Sequence, residues 1–195
     1  MSTLSSNAND NTKAVATIPR GLLLLDIDDV LCLANSSAGY RARAALSRSD
    51  DKEEIWKTLF DREAVRALHE LMIECRPQVV LTSSWLEMME RQHLIEVFKR
   101  TGLGAVAEAL HPHWDAPAEL GVSRHAAISR WLEAHHRGEP LLILDDLQSG
   151  ESLLESEWEA AGHQILCAVD RGFHRALLPT AIRALRTPYV RPVYW

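Results

Sequence analysis

Asp26, Asp28 and Asp29 stand together directly after four consecutive leucines, in the stretch LLLLDIDDVL. Like charges this close repel by about 4 kcal/mol even at an effective dielectric of about 20, so the cluster needs a counter-charge. Asp26 and Asp28 are two positions apart, and side chains alternate along an extended chain. Both can therefore face one side where a strand gives way to a loop. Two other segments carry matching chemistry: QVVL runs into Thr82, Ser83 and Ser84, and LLIL runs into Asp145 and Asp146. Carboxylates gathered from separate segments suit a hard, oxygen-ligated divalent cation. Any one acidic pair, taken alone, also serves as an ordinary turn or helix cap. An EF-hand calcium loop does not fit, because Val-Leu-Cys-Leu follows the acids, with no turn glycine and no acid at the twelfth position.

These residues meet only if regular elements carry them to one place. The runs 22–25, 78–81 and 141–144 are apolar and of strand length, with 164–169 a weaker fourth. Continuous apolar runs suit strands buried on both faces. Between them the periodicity predicts amphipathic helices. Asp61 caps one carrying Val65, Leu68 and Met72, and a second runs from Trp85 to near Gly102. A third begins at Ser123, turns Ile128, Trp131 and Leu132 inward and stops at Gly138. The alternation predicts an α/β fold, a three-layer α/β/α sandwich around a central parallel sheet. Ligands of such sheets lie at the carboxyl ends of the strands, where each acidic or hydroxyl cluster stands.

At 195 residues, 47% hydrophobic and 25% charged, the chain reads as one globular domain. Residues 1–20 read as a loose polar tail and 21–195 as the domain, with 32–60 a small cap insertion. Cys32, Cys75 and Cys167 form neither a disulfide framework nor a Cys-x-x-Cys pair, which fits a reducing, cytoplasmic setting. No apolar run approaches a membrane span, and the polar opening lacks the apolar middle of a signal peptide. A net charge of -6 argues against a broad nucleic-acid footprint.

Leu-Asp-Ile-Asp-Asp-Val-Leu, Val-Val-Leu-Thr-Ser-Ser-Trp and Leu-Ile-Leu-Asp-Asp together resemble the first, second and fourth motifs of the haloacid-dehalogenase-like (HAD) phosphohydrolase superfamily. The Thr-Ser-Ser-Trp ending and the run RHAAISRWL from Arg124 resemble the HAD domain of Swiss Army Knife RNA repair proteins, over most of residues 21–186. The resemblance implies a Rossmann-like HAD fold and a magnesium-dependent phosphatase acting on a phosphorylated small molecule, a nucleotide or a nucleic-acid end. Asp26 would attack phosphorus and form an acyl phosphate, splitting the displacement into two easier steps. Asp28 would protonate the departing oxygen and later take a proton from the hydrolysing water. The implied metal ligands are the Asp26 side chain, the Asp28 main-chain carbonyl and a carboxylate from Asp145 or Asp146, with Asp146 preferred.

Thr82 and Ser83 would donate hydrogen bonds to the phosphate, the alternative for Thr82 being a plain helix N-cap. The family's cation, usually lysine, has no counterpart among the lysines apart from Lys99, late in a helix. Arg124 is the candidate instead, against a reading of it as a solvent-facing arginine. Two departures are Asp29, where glycine is frequent, and Leu86, where arginine often follows Ser-Ser-Trp. A halide-expelling enzyme has no leaving group to protonate, so Asp28 favours phosphate esters. The competing readings are a non-catalytic phosphate- or partner-binding module and, last, a receiver-type signalling domain, for which 164–170 lacks the lysine.

Substrate-facing candidates are less sharply defined. The insertion carries Tyr40, Arg41, Arg43, Arg48 and the helical DKEEIWKTLF, which could form a lid. Trp85 and Trp114 read either as base-stacking residues or as half-buried core. His111 and His113 resemble a metal pair without a further ligand nearby. The closing segment 170–195 holds five arginines and one acid, which reads as a solvated helix face or a nucleic-acid contact.

Overall fold

The computed structural model describes residues 20–33, 37–48, 53–117 and 121–190. Of the expected polar tail only Arg20 falls within these; residues 34–36 and 49–52 of the insertion and the last five positions also lie outside. Five strands form one all-parallel sheet: β1 (Leu22–Leu25), β2 (Gln78–Leu81), β3 (Leu110–Asp115), β4 (Leu141–Asp146) and β5 (Gln164–Cys167). Their spatial order is β3-β2-β1-β4-β5, so β1 lies between β2 and β4. In register, Leu25 faces Leu81 on one side and Leu144 on the other.

The continuous leucines of β1 follow from that central place. Leu23 and Leu25 point into one core with Val79, Leu81, Leu142 and Leu144. Leu22 and Leu24 point into the opposite core with Val80, Leu141, Ile143 and Trp131. Alternation puts neighbouring leucines on opposite faces, and helices cover both, which gives the three-layer α/β/α sandwich.

The helices are α1 (Ala38–Leu46), α2 (Glu53–Thr58), α3 (Arg62–Cys75), α4 (Arg91–Arg100), α5 (Gly104–Glu108), α6 (Arg124–His135), α7 (Glu157–Ala160) and α8 (Leu178–Ala184). Asp61 caps α3 by accepting from the Glu63 and Ala64 amides, and Leu68 and Met72 are buried on its inner face. Ser123 caps α6 by accepting from the Ala126 amide. The helix expected from Trp85 to Gly102 is broken. Ser84–Glu87 is a single 3-10 turn, and the α-helix starts only at Arg91.

β3 has no counterpart in the sequence reading. Its residues HPHWD are polar and partly exposed, and its register against β2 is irregular: Val79 pairs with Leu110 and Leu81 with Asp115. Such a bulged edge lacks the apolar signal of the inner strands. β5 ends at Cys167, short of the expected 169. The insertion shares the main core, since Ala38, Ala42, Trp56 and Phe60 are buried in the same cluster as Leu23 and Leu25. The three cysteines are free thiols, and burial pushes Cys32 and Cys167 up to about 12. Among the described residues no helix is long and apolar enough to cross a membrane.

Candidate active site

The site forms where β2, β1 and β4 end side by side. The ladder continues one step past β1, with the Asp26 amide donating to Leu144 O at 2.9 Å and the Thr82 amide to Leu25 O at 2.9 Å. This places Asp26 beside Asp145 on one flank and Thr82 on the other. Asp26, Asp145 and Asp146 are at most 1% exposed. One carboxylate oxygen from each lies within 4.8 Å of the other two, and among the described residues this is the one such convergence of His, Cys, Asp or Glu.

Arg124, the first residue of α6, reaches into the cluster with its side chain 9% exposed. Its Nη2 lies 3.5 Å from Asp26 Oδ1 and its Nε 3.0 Å from Asp145 Oδ2. It is therefore not solvent-facing, whereas Lys99 sits exposed on α4. Backbone amides hold the rest of the acidic pair. Asp145 Oδ1 accepts from the Asp146 amide at 2.9 Å, and Asp146 Oδ1 accepts from Gln148 and Ser149 at 2.7 and 2.9 Å. Asp26 Oδ2, Asp146 Oδ2 and the Thr82 hydroxyl remain buried without a hydrogen bond. A buried polar atom left so costs about 1–3 kcal/mol, and three on adjacent strand ends mark a place built for something else to bind.

The electrostatics agree. Burial, then the Asp145 charge, pushes the Asp26 carboxyl well above its usual range, with Arg124 pulling it back. Burial raises Asp145 to about 6, again opposed by Arg124. One guanidinium does not balance three carboxylates. An oxygen-ligated cation such as magnesium fits this donor set: neither oxygen of Asp26 nor Asp146 Oδ2 carries a hydrogen bond, so Asp26 can give one oxygen to a cation and keep the other open, while Asp145 is engaged by Arg124.

Asp28 is half-buried and belongs to a different arrangement. Its Oδ1 accepts from the Trp85 indole N–H at 2.9 Å, and its Oδ2 from the Ser84 hydroxyl at 2.9 Å. Burial raises its pKa while both donors lower it. Trp85 is 1% exposed, so the base-stacking role is corrected: its ring is core and its N–H positions a carboxylate. Ser84 and Trp85 were not singled out as partners of Asp28; the one available signal was their place in Thr-Ser-Ser-Trp. Ser83 Oγ caps the 3-10 turn by accepting from the Trp85 amide at 3.4 Å, which leaves Thr82, not the cap, with the open hydroxyl.

Asp29 has φ of 51°, the left-handed region that glycine takes easily and aspartate tolerates, so the departure from glycine keeps the turn. Leu86 and Trp114 pack partly buried against the main core. His113 stacks on His135 at 4.0 Å, with His111 beside them, and among the described residues these three do not bring their ring nitrogens together as a metal group. Two of the closing arginines pair with α3: Arg175 lies 3.9 Å from Glu70, and Arg186 bonds Glu74.

No curated protein and no solved structure matches the chain significantly. One family model does match, over residues 22–178, the span running from β1 through all three strand ends and into α8. The chain therefore belongs to the family described as the HAD domain in Swiss Army Knife RNA repair proteins.

Proposed function

We propose that the protein is a magnesium-dependent phosphomonoesterase that works through a phosphorylated Asp26, on a nucleotide or a nucleic-acid end. Family membership supports a HAD-type hydrolase. The observation that carries the finer reading is the set of open, buried oxygens on Asp26, Asp146 and Thr82, at three adjacent strand ends. The nucleotide or nucleic-acid substrate rests on the family likeness.

The Asp26 Oδ1 and Asp146 carboxylate oxygens with the Asp28 carbonyl would hold magnesium, which when bound would supply positive charge to offset the clustered acids and the phosphate. The chain's own residues do the rest. Arg124 orients Asp26 through Oδ1, leaving Oδ2 open as nucleophile. The Thr82 hydroxyl donates to a phosphate oxygen. Asp26 Oδ2 bonds to phosphorus as the ester P–O bond breaks, and Asp28 gives its proton to the departing oxygen. Water then attacks the same phosphorus and loses a proton to Asp28. The bond to Asp26 breaks, phosphate leaves and both aspartates return to their starting states.

The non-catalytic reading drew on Asp29, Leu86 and the absent lysine. The left-handed turn at Asp29 and the two ion pairs of Arg124 weaken two of those grounds. The direct test is phosphate release from a generic aryl phosphate with and without magnesium. Asp26→Asn should reduce it by at least about a thousandfold. Equal activity in the two proteins removes Asp26 as nucleophile.

A further inference from the structure

A cavity of about 460 Å³ opens next to the strand ends, lined among others by Arg43, Glu87, Met88, Glu90, Trp114 and Asp115. Its lining continues the chain on from the Thr-Ser-Ser-Trp segment and from the end of β3. Asp115 pairs in register with Leu81, which precedes Thr82, and Leu86 to Met89 continue directly from Trp85. α1 contributes Arg43 to the lining and packs on the segment beside it: a Cβ at Gly39 would come within 2.9 Å of Met88 Sδ and 3.2 Å of the Trp85 ring.

The lining has three distinct chemistries. Its size lies within the range of small-molecule sites, about 300–1,000 Å³. The partly buried Trp114 ring and Met88 side chain provide polarizable surface for a flat ring. Glu87, Glu90 and Asp115 are carboxylates that only accept hydrogen bonds once ionised, so they call for N–H donors on the ligand. Among the described residues none of these three, nor Arg43 or His93, is committed to an ion pair or side-chain hydrogen bond. Three carboxylates also outnumber Arg43 even with His93 counted as a cation. A polynucleotide, with a phosphate at every residue, would meet repulsion here.

We propose that this cavity seats the organic part of the substrate, and that it takes a single flat, amine-bearing ring, such as the base of an amino-nucleoside monophosphate, in preference to a polynucleotide end. The proposal rests on the phosphomonoesterase reading and narrows its substrate class.

The test compares kcat/KM for four probes: a generic aryl phosphate, glycerol phosphate, adenosine monophosphate and a 5′-phosphorylated oligoadenylate. Adenosine monophosphate should exceed both glycerol phosphate and the oligoadenylate by about tenfold or more. Trp114→Ala should cut its preference over glycerol phosphate by about tenfold, chiefly through KM. Trp114 also packs against the core, so the exposed pair Glu87→Gln and Glu90→Gln provides a second variant, in which oligoadenylate turnover should rise relative to the mononucleotide. Oligoadenylate turned over as well as or better than adenosine monophosphate, or preferences unmoved in both variants, overturns the proposal. Aryl phosphate turnover with no nucleoside preference overturns it alone, and no turnover of any ester overturns the phosphomonoesterase reading with it.

Discussion

Asp28 is held by two donors that behave differently. The Trp85 indole N–H can only donate, so it always engages Oδ1, whereas the Ser84 hydroxyl donates or accepts and can follow Oδ2 through both protonation states. Trp85→Phe keeps a smaller aromatic ring in the core and removes the donor. Trp85→Phe should slow an alkyl phosphate by about tenfold to a hundredfold, because a poor leaving group needs its proton. An aryl phosphate with an acidic phenol should slow far less; equal losses on both esters would mean that Trp85 only supports the fold. These contacts span 56 and 57 residues, and nothing local in the chain announces them. Asp26, Asp145 and Asp146 were legible because an acid after an apolar run has one plausible place in a parallel sheet. Arg124 was legible only by elimination, since its burial depends on how α6 meets β4.

Protonation of the cluster also has a signed consequence for stability. Asp145 is raised from 3.8 to about 6 in the fold, chiefly by burial. Between those values the folded protein binds more protons than the unfolded chain, so this group's contribution falls as pH rises through the window. Without metal, the stability of the protein relative to Asp145→Asn should therefore decline from about pH 4 to about pH 6. Magnesium bound beside Asp145, as proposed, would favour its ionised form, so the gain in melting temperature on adding magnesium should grow over the same range. A relative stability that climbs across this window without metal would contradict the assignment.

Among the elements, the inner strands were readable because burial on both faces forces continuous apolar runs. β3 was not, because a bulged edge strand accepts HPHWD without penalty. The helix expected from Trp85 failed for a local reason: burying Trp85 against Asp28 ends the 3-10 turn at Glu87, before α4 can begin at Arg91. The loop after β4 depends on Gly150, whose amide donates to Asp146 O at 2.9 Å and whose Cβ, if present, would stand 2.5 Å from the same oxygen. Gly150→Ala must shift backbone that orients Asp146. It should cost about 1–3 kcal/mol by denaturant titration and weaken stabilisation by magnesium. Full retention of both would show that this turn does not set the carboxylate.

At the scale of the whole molecule, the sandwich and the place of its site followed from the order of apolar runs, while the behaviour of the insertion did not. Residues 32–60 suggested a lid, yet Trp56 and Phe60 are buried with the sheet's own leucines, and the Phe60 ring lies tilted 6.0 Å from Trp85. Length and composition cannot distinguish a separate cap from one that shares the core. The closing arginines were similarly ambiguous; Arg175 and Arg186 face Glu70 and Glu74 across exposed surface, where such pairs add little to stability. The three strand ends thus converge on Asp26, and the phosphorylation proposed for it can be read directly. Mass spectrometry of an acid-quenched reaction with aryl phosphate and magnesium should find a phosphoryl group on the peptide containing Asp26, and none in Asp26→Asn. Turnover with no adduct on that peptide, undiminished in Asp26→Asn, would contradict the account.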